Sequence, residues 1–212
     1  MKAIIFDFDD TLYNGTVWNN WPKYMHKFLT ELFGGQERAN QFITKYHFDT
    51  LPFIGQSVAS ALIKELGSAE SFVKYQSANV YPLEAPNLRF IDSDFLKDLK
   101  KDYHLYILSN SPVRYVRQHL AEGNIDENIF DGIFTNSFEV EDISKYPQYQ
   151  HILKLENVSP NQIIVVSDNY TNDIVPALKL GLNGYHAPTL EMVYNLRNVI
   201  NDIEDDSQQL KA

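Results

Sequence analysis

Carboxylates crowd one short stretch near the start of the chain, Phe6-Asp7-Phe8-Asp9-Asp10-Thr11-Leu12, at the end of the first apolar run, Ala3–Phe8. Burying several carboxylates without partners is costly. The usual remedy is a divalent cation, and hard cations such as Mg²⁺ take oxygen ligands. Residues i and i+2 of an extended strand share a face, so Asp7 and Asp9 are expected to approach one site. An acidic turn in solvent is the plainer alternative. It is disfavoured because the cluster sits at a strand end, where open α/β sheets bind their ligands.

The elements that must position such a site are short and apolar. Ala3–Phe8, Leu105–Leu108, Gly132–Thr135 and Ile163–Val166 are mostly β-branched or aromatic and show no clear alternation. That is the pattern of strands buried on both faces of a parallel sheet. Gly184-Tyr185-His186-Ala187 reads as one more short strand. Between the later strands, Ser111–Ala121, Pro147–Glu156 and Thr171–Leu180 carry apolar residues at helical spacing. Strands alternating with helices predict a Rossmann-like, doubly wound parallel α/β sheet. Residues 17–85 differ. Trp18, Trp21, Met25, Phe28, Leu29 and Leu32, then Phe42 and Tyr46, then Val58, Leu62 and Leu66 follow a helical period, with no buried strand among them. This predicts a helical domain inserted after the first strand, with residues 1–16 and 86–212 forming the core. The acidic stretch after Val199 is expected to fray.

Composition narrows the chemistry further. The 212 residues suit one α/β domain with an insertion, and 44% hydrophobic residues suffice for a core. A net charge of −10 argues against a nucleic-acid polymer as partner. No cysteine is present, which excludes disulfides, thiolate nucleophiles and cysteine-ligated zinc. The expected setting is cytoplasmic, with no membrane partner, since no apolar run approaches a membrane span and the N-terminus lacks a signal-peptide pattern.

Asp7-Phe8-Asp9-Asp10-Thr11-Leu12 matches the Asp-x-Asp-x-Thr signature of the haloacid dehalogenase (HAD) superfamily. Further family motifs follow in order. Ile107-Leu108-Ser109-Asn110 resembles the second, Lys145 in Ser144-Lys145-Tyr146-Pro147 the third, and Val165-Val166-Ser167-Asp168 through Asp173 the fourth, usually Gly-Asp-Ser-x-x-Asn-Asp. The likeness covers nearly the whole chain.

The resemblance implies a set of roles. Asp7 is the nucleophile that forms an aspartyl-phosphate, and Asp9 the general acid and base. Asp7, the backbone carbonyl of Asp9, and Asp168 hold Mg²⁺. Asp173 supports the metal from behind or through water, and Thr11 and Asp10 order the loop. Ser109 and Asn110 hold phosphoryl oxygens, and Lys145 neutralises charge. Lys145 departs from the usual Lys-Pro by the inserted Tyr146, so Lys154 is the alternative lysine. Each residue also has a plainer reading: Ser109 to Pro112 as a helix cap, Lys145 as a solvated lysine, Asp168 and Asp173 as turn residues. An acid at position 9 separates phosphatases and phosphomutases from the family's dehalogenases and transport ATPases.

The helical insertion resembles a C1-type cap, which closes over the site and selects substrate. Asn14-Gly15 reads as a hinge or flap turn. The opening motif with Tyr13, and the run from Tyr46 through Gly55, are loosely similar to the pyrimidine 5′-nucleotidase branch, although His47-Phe48-Asp49 stands where a glycine is expected. Trp18, Trp21, Tyr24, Tyr46, His47, Phe48 and Phe53 either stack on a nucleobase or form the core of the insertion. The expected partner is a small phosphorylated metabolite, with a nucleoside 5′-monophosphate as the finer expectation, acted on by a monomer or homodimer. Phosphoglycolate or sugar phosphates, a phosphomutase, and a non-catalytic binding protein on the same fold are the alternatives.

Overall fold

The structure, a computed structural model, describes residues 1–14, 21–48, 58–78, 88–135 and 145–209. Strands β1 (Ala3–Phe6), β4 (His104–Ser109), β5 (Gly132–Thr135), β6 (Ile163–Ser167) and β7 (Asn183–His186) form a parallel sheet in the order β5-β4-β1-β6-β7. β1 is the middle strand. Ala3 lies beside His104 and Ile163, and Phe6 beside Ile107 and Val166. The carboxyl ends of β1, β4 and β6 therefore meet at one edge. A separate antiparallel ribbon pairs β2 (Tyr13–Asn14) with β3 (Arg89–Phe90). It places Asn14 in a strand, and its partner in the expected turn, Gly15, lies outside the described residues.

The inner strands β1, β6 and, from Leu105 on, β4 are buried on both faces, as their unalternating runs require, whereas the edge strands β5 and β7 are only half-buried, contrary to the reading of Gly132–Thr135 as a fully buried strand. Ala3, Ile5, Tyr106, Leu108, Ile163 and Val165 pack with Tyr149 and Ile152 of α7 (Tyr146–Glu156) and Ala177 of α8 (Val175–Lys179). Ile4 and Phe6 alternate with Ile5, so they point to the other face, and they too are buried. Helices α5 (Ser93–Lys100), α6 (Val113–Glu122), α9 (Leu190–Tyr194) and α10 (Leu196–Gln209) complete this unit. Asp92 and Thr189 cap α5 and α9 by accepting the N–H groups of Asp94 and Met192.

Three expectations are corrected. The first strand stops at Phe6 rather than Phe8, because Thr11 and Leu12 turn back to donate to the Phe8 carbonyl at 3.3 and 3.0 Å. The helix expected over Thr171–Leu180 opens instead as a π-turn, Tyr170–Ile174, ahead of α8. Pro176 has no N–H to give to an ordinary helical turn before it. The acidic stretch after Val199 is helical through Gln209, with Ile200 buried and Glu204 paired to the Met1 ammonium.

The second compact unit holds four helices among the described residues: α1 (Trp21–Phe33), α2 (Gln36–Lys45), α3 (Val58–Leu66) and α4 (Glu70–Ala78). Met25, Phe28, Leu29, Phe42, Val58, Leu62 and Phe72 form its core, with Phe48 buried among them. Leu66 is 50% exposed, contrary to the periodic reading, because it ends α3. Tyr46 packs on Phe42 and donates to Glu65 at 2.8 Å. Two of the aromatic residues weighed for base stacking, Tyr46 and Phe48, are thus part of this unit's own packing. Trp18, Phe53, the side chain of Trp21, most of the run from Tyr46 to Gly55 and the expected domain boundaries lie outside the described residues. No helix among the described residues is long and apolar enough to cross a membrane.

Ile5→Ala, in the middle of the central strand, is expected to cost about 2–5 kcal/mol in urea unfolding. Leu155→Ala, on an exposed helix face, should stay within about 0.5 kcal/mol.

Candidate active site

Asp7 continues the ladder one residue past β1, its N–H donating to the Val166 carbonyl at 2.9 Å. Its side chain is buried at 9% exposure. Oδ1 accepts from Lys145 Nζ at 2.6 Å. The same ammonium, 3% exposed, donates to Asp173 Oδ2 at 2.8 Å. Ser167, the last residue of β6, donates to Asp173 Oδ2 at 2.5 Å, lies 3.4 Å from Asp7 Oδ2, and accepts the Asn169 N–H at 3.0 Å. Asp7, Lys145, Ser167 and Asp173 thus form one closed network. The π-turn that carries Asp173 is capped by the Asn169 side chain, which accepts from Asn172 N–H at 3.0 Å. Gly184 of β7 passes close beneath it: a Cβ there would stand 2.6 Å from Ile174 Cγ2.

Asp168 adjoins this network from the same loop. Its N–H donates to Thr11 Oγ1 at 3.1 Å, and its carbonyl accepts from His186 Nε2 at 2.8 Å. Its carboxyl adds its negative charge to the surroundings of Asp7. Asp9 belongs to a neighbouring cluster. Oδ1 accepts from the Tyr13 hydroxyl at 2.5 Å, and Oδ2 lies 2.7 Å from Ser111 Oγ and 3.4 Å from Ser109 Oγ. The Ser111 N–H donates to Ser109 Oγ at 2.9 Å, which fixes the loop after β4. Asn110 is exposed on that loop. Asp10 sits in the left-handed region at φ 54° and makes the sharp turn between Asp9 and Thr11. Lys154 is exposed on α7 and makes none of these bonds.

Comparison with known proteins agrees with this layout. A family model, haloacid dehalogenase-like hydrolase, matches residues 1–181. The chain belongs to the haloacid dehalogenase-like hydrolases. No functionally curated protein matched in sequence. Among solved structures, a HAD phosphatase from Thermococcus onnurineus is 19% identical, with TM-score 0.58, over 94% of this chain and 98% of that one. A predicted phosphoglycolate phosphatase from Haemophilus somnus is 20% identical, with TM-score 0.54, over 91% of each chain. A HAD hydrolase from Bacillus subtilis, solved with magnesium, is 17% identical, with TM-score 0.53, over 92% and 97%. At these identities the likeness establishes the fold.

Negative charge concentrates at the end of β1 in this HAD chain. Burial pushes Asp7 well above the usual carboxylate range, against the pull of Lys145, and the charges of Asp173 and Asp168 add to the rise. Burial and Asp173 raise Asp168 as well. Burial alone would lower the Lys145 ammonium, but Asp173 and Asp7 hold it above its ordinary value. Three carboxylates thus surround one ammonium, and their charges raise one another. Carboxylates that repel in this way share either a proton or a cation. Among the described residues no three acidic or imidazole side chains converge as a finished metal cage. Two carboxylates, the Asp9 carbonyl and water or substrate oxygens make the kind of set Mg²⁺ takes, since it keeps waters and needs few protein ligands.

Three residues in the HAD site went unassigned in the sequence reading. Ser167 stands where the fourth family motif has glycine, and its hydroxyl ties Asp173 to the network. Tyr13 and Ser111 hold the two oxygens of Asp9. Ser167 carried a signal as a departure from the motif, and Tyr13 as part of the opening motif, with no role attached to either.

Removing the Lys145 ammonium strands two buried carboxylates. Lys145→Ala is expected to cost about 3–5 kcal/mol in chemical unfolding without divalent cation, whereas Lys154→Ala should be nearly neutral.

Proposed function

We propose that this chain is a Mg²⁺-dependent phosphatase that hydrolyses a small phosphomonoester through an aspartyl-phosphate on Asp7. The observation that carries this reading is the placement of Asp7: buried at the end of the central strand, paired with Lys145, under the charge of Asp168, and followed two residues later by a second carboxylate.

In the first step an Asp7 oxygen attacks phosphorus as the ester oxygen leaves, and Asp9 gives its proton to that oxygen. In the second, Asp9 takes a proton from water as water attacks phosphorus, and the electron pair of the broken bond returns to Asp7. Ser109 and the backbone N–H of Asn110 are assigned to the phosphoryl oxygens. Lys145 offsets charge on Asp7 and on the transferring group, while Asp173, itself held by Ser167, holds the ammonium in place. Mg²⁺, assigned to Asp7, the Asp9 carbonyl and Asp168, would neutralise the negative field that otherwise repels an anionic ester. Asp10 and Thr11 are assigned to shaping the loop, and Thr11 also anchors Asp168.

Substrate choice is assigned to the helical unit, residues 17–85. The finer proposal of a nucleoside 5′-monophosphate rests on the loose likeness of the opening motif and the Tyr46–Gly55 run to one family branch. The likeness to the Haemophilus somnus protein keeps phosphoglycolate in the panel. The proposed setting is the cytoplasm.

The test is phosphate release from a panel of nucleotide, sugar and short-chain phosphomonoesters. Release should require Mg²⁺ and fall to background in Asp7→Asn; equal rates in the two proteins would refute the nucleophile. Binding can be read apart from turnover. At a Mg²⁺ concentration of about 100 Kd, linkage predicts a gain of about 2.7 kcal/mol in stability. Asp168→Asn should lose most of that gain, and an undiminished gain would move the metal elsewhere.

A further inference from the structure

We propose that Tyr13 is a positioning residue that holds the Asp9 carboxyl in the orientation from which it serves the departing ester oxygen. The inference rests on the phosphatase reading above and adds a residue to it.

The two oxygens of Asp9 meet different hydroxyls. Oδ1 faces Tyr13, whose ring is fully buried between Phe8, at 5.3 Å, and Phe90, at 5.6 Å between centroids. The ring is held at the start of the β2–β3 ribbon, where the Leu12 carbonyl accepts the Ile91 N–H at 2.8 Å. The hydroxyl therefore has little freedom to leave Oδ1. Tyr115 on α6 packs edge-on against Phe8.

Oδ2 faces Ser111 and Ser109. A serine hydroxyl rotates and can donate or accept. Oδ2 can therefore be protonated or bare without losing its partner, while the fixed Tyr13 hydroxyl on Oδ1 keeps the carboxyl from turning. Oδ2 is thereby left on the side of the loop assigned to the phosphoryl group, and the proton is exchanged there. In the first step the Oδ2–H bond breaks and the proton passes to the departing ester oxygen, while Asp7 forms its bond to phosphorus. In the second, a water O–H bond breaks and that proton returns to Oδ2.

A residue that merely packs the core would not change how the rate depends on the leaving group. Proton donation matters most for a poor leaving group and least for a good one. The experiment compares wild type, Tyr13→Phe and Ser111→Ala across an ester series from p-nitrophenyl phosphate to simple alkyl phosphates with Mg²⁺. The quantity is kcat/KM, which covers the steps up to the aspartyl-phosphate. General acid catalysis is worth roughly 100- to 10,000-fold. Tyr13→Phe should therefore lose at least about 10-fold more on an alkyl ester than on the nitrophenyl ester. KM should move little and thermal stability only slightly, since the ring is kept. Ser111→Ala, at a half-buried loop position, provides the second variant and should steepen the same dependence.

Equal losses across the series, or a change confined to KM, would overturn the assignment while leaving the phosphatase reading intact. A wild type inactive on every ester would remove the phosphatase reading, and the role of Tyr13 with it.

Discussion

A single ammonium, Lys145 Nζ, holds two buried carboxylates at the carboxyl edge of the sheet. Each of these charges lost several kcal/mol of hydration on leaving water. Their mutual attraction at an effective dielectric near 20 returns about 4 kcal/mol per contact at 4 Å, so the balance depends on geometry. The geometry comes from three elements at once: β1 ends at Asp7, α7 begins just after Lys145, and the π-turn after β6 carries Asp173. None of these can shift alone without stranding a charge. Ser167 closes the arrangement by filling a lone pair of Asp173 that the ammonium does not reach.

The same charge count explains why the site resembles a binding site more than a structural ion pair. A structural pair is expected to be neutral. Here Asp168 adds a third carboxylate beside Asp7, held by Thr11 and by the His186 imidazole on its carbonyl. The residual negative charge sits at an edge where three parallel strands terminate together. Folding has left a deficit of positive charge at one place, and the chemistry proposed for the site consists in supplying it.

The sheet was legible because its strands are unbroken apolar runs: Ala3–Phe6, Leu105–Leu108, Gly132–Thr135 and Ile163–Val166 lie within four of its strands. The carboxylates were legible because several in succession at a strand end have few structural uses. Lys145 was harder, since Tyr146 interrupts its motif. The structure absorbs the extra residue by starting α7 at Tyr146, with Pro147 in the first turn, where its missing N–H costs nothing. The π-turn was not legible, because its width reflects a proline that also suits an ordinary helix start. Nor was the helical end of the chain. An acidic composition favours fraying, but Ile200 and the Met1–Glu204 pair tie that helix to the core. Tyr13 and Ser111 act through one hydroxyl each, and a single hydroxyl has no period to read.

β1 is the first strand in sequence and the middle strand in space, and its partners lie far along the chain: Ala3 meets His104 on one side and Ile163 on the other. Such distant pairings give a high contact order, which slows folding. During synthesis the run Ala3–Phe6 has no lateral neighbour until the chain has passed His104, and lacks its second until it has passed Ile163. Through that interval Asp7 and Asp9 stay in water, far from Lys145 and Asp168. The charge cluster is therefore a late product of assembly, completed only when the last of its contributing segments docks, and a chain cut short before β6 would carry the acidic motif and Lys145 without Ser167, Asp168 or Asp173.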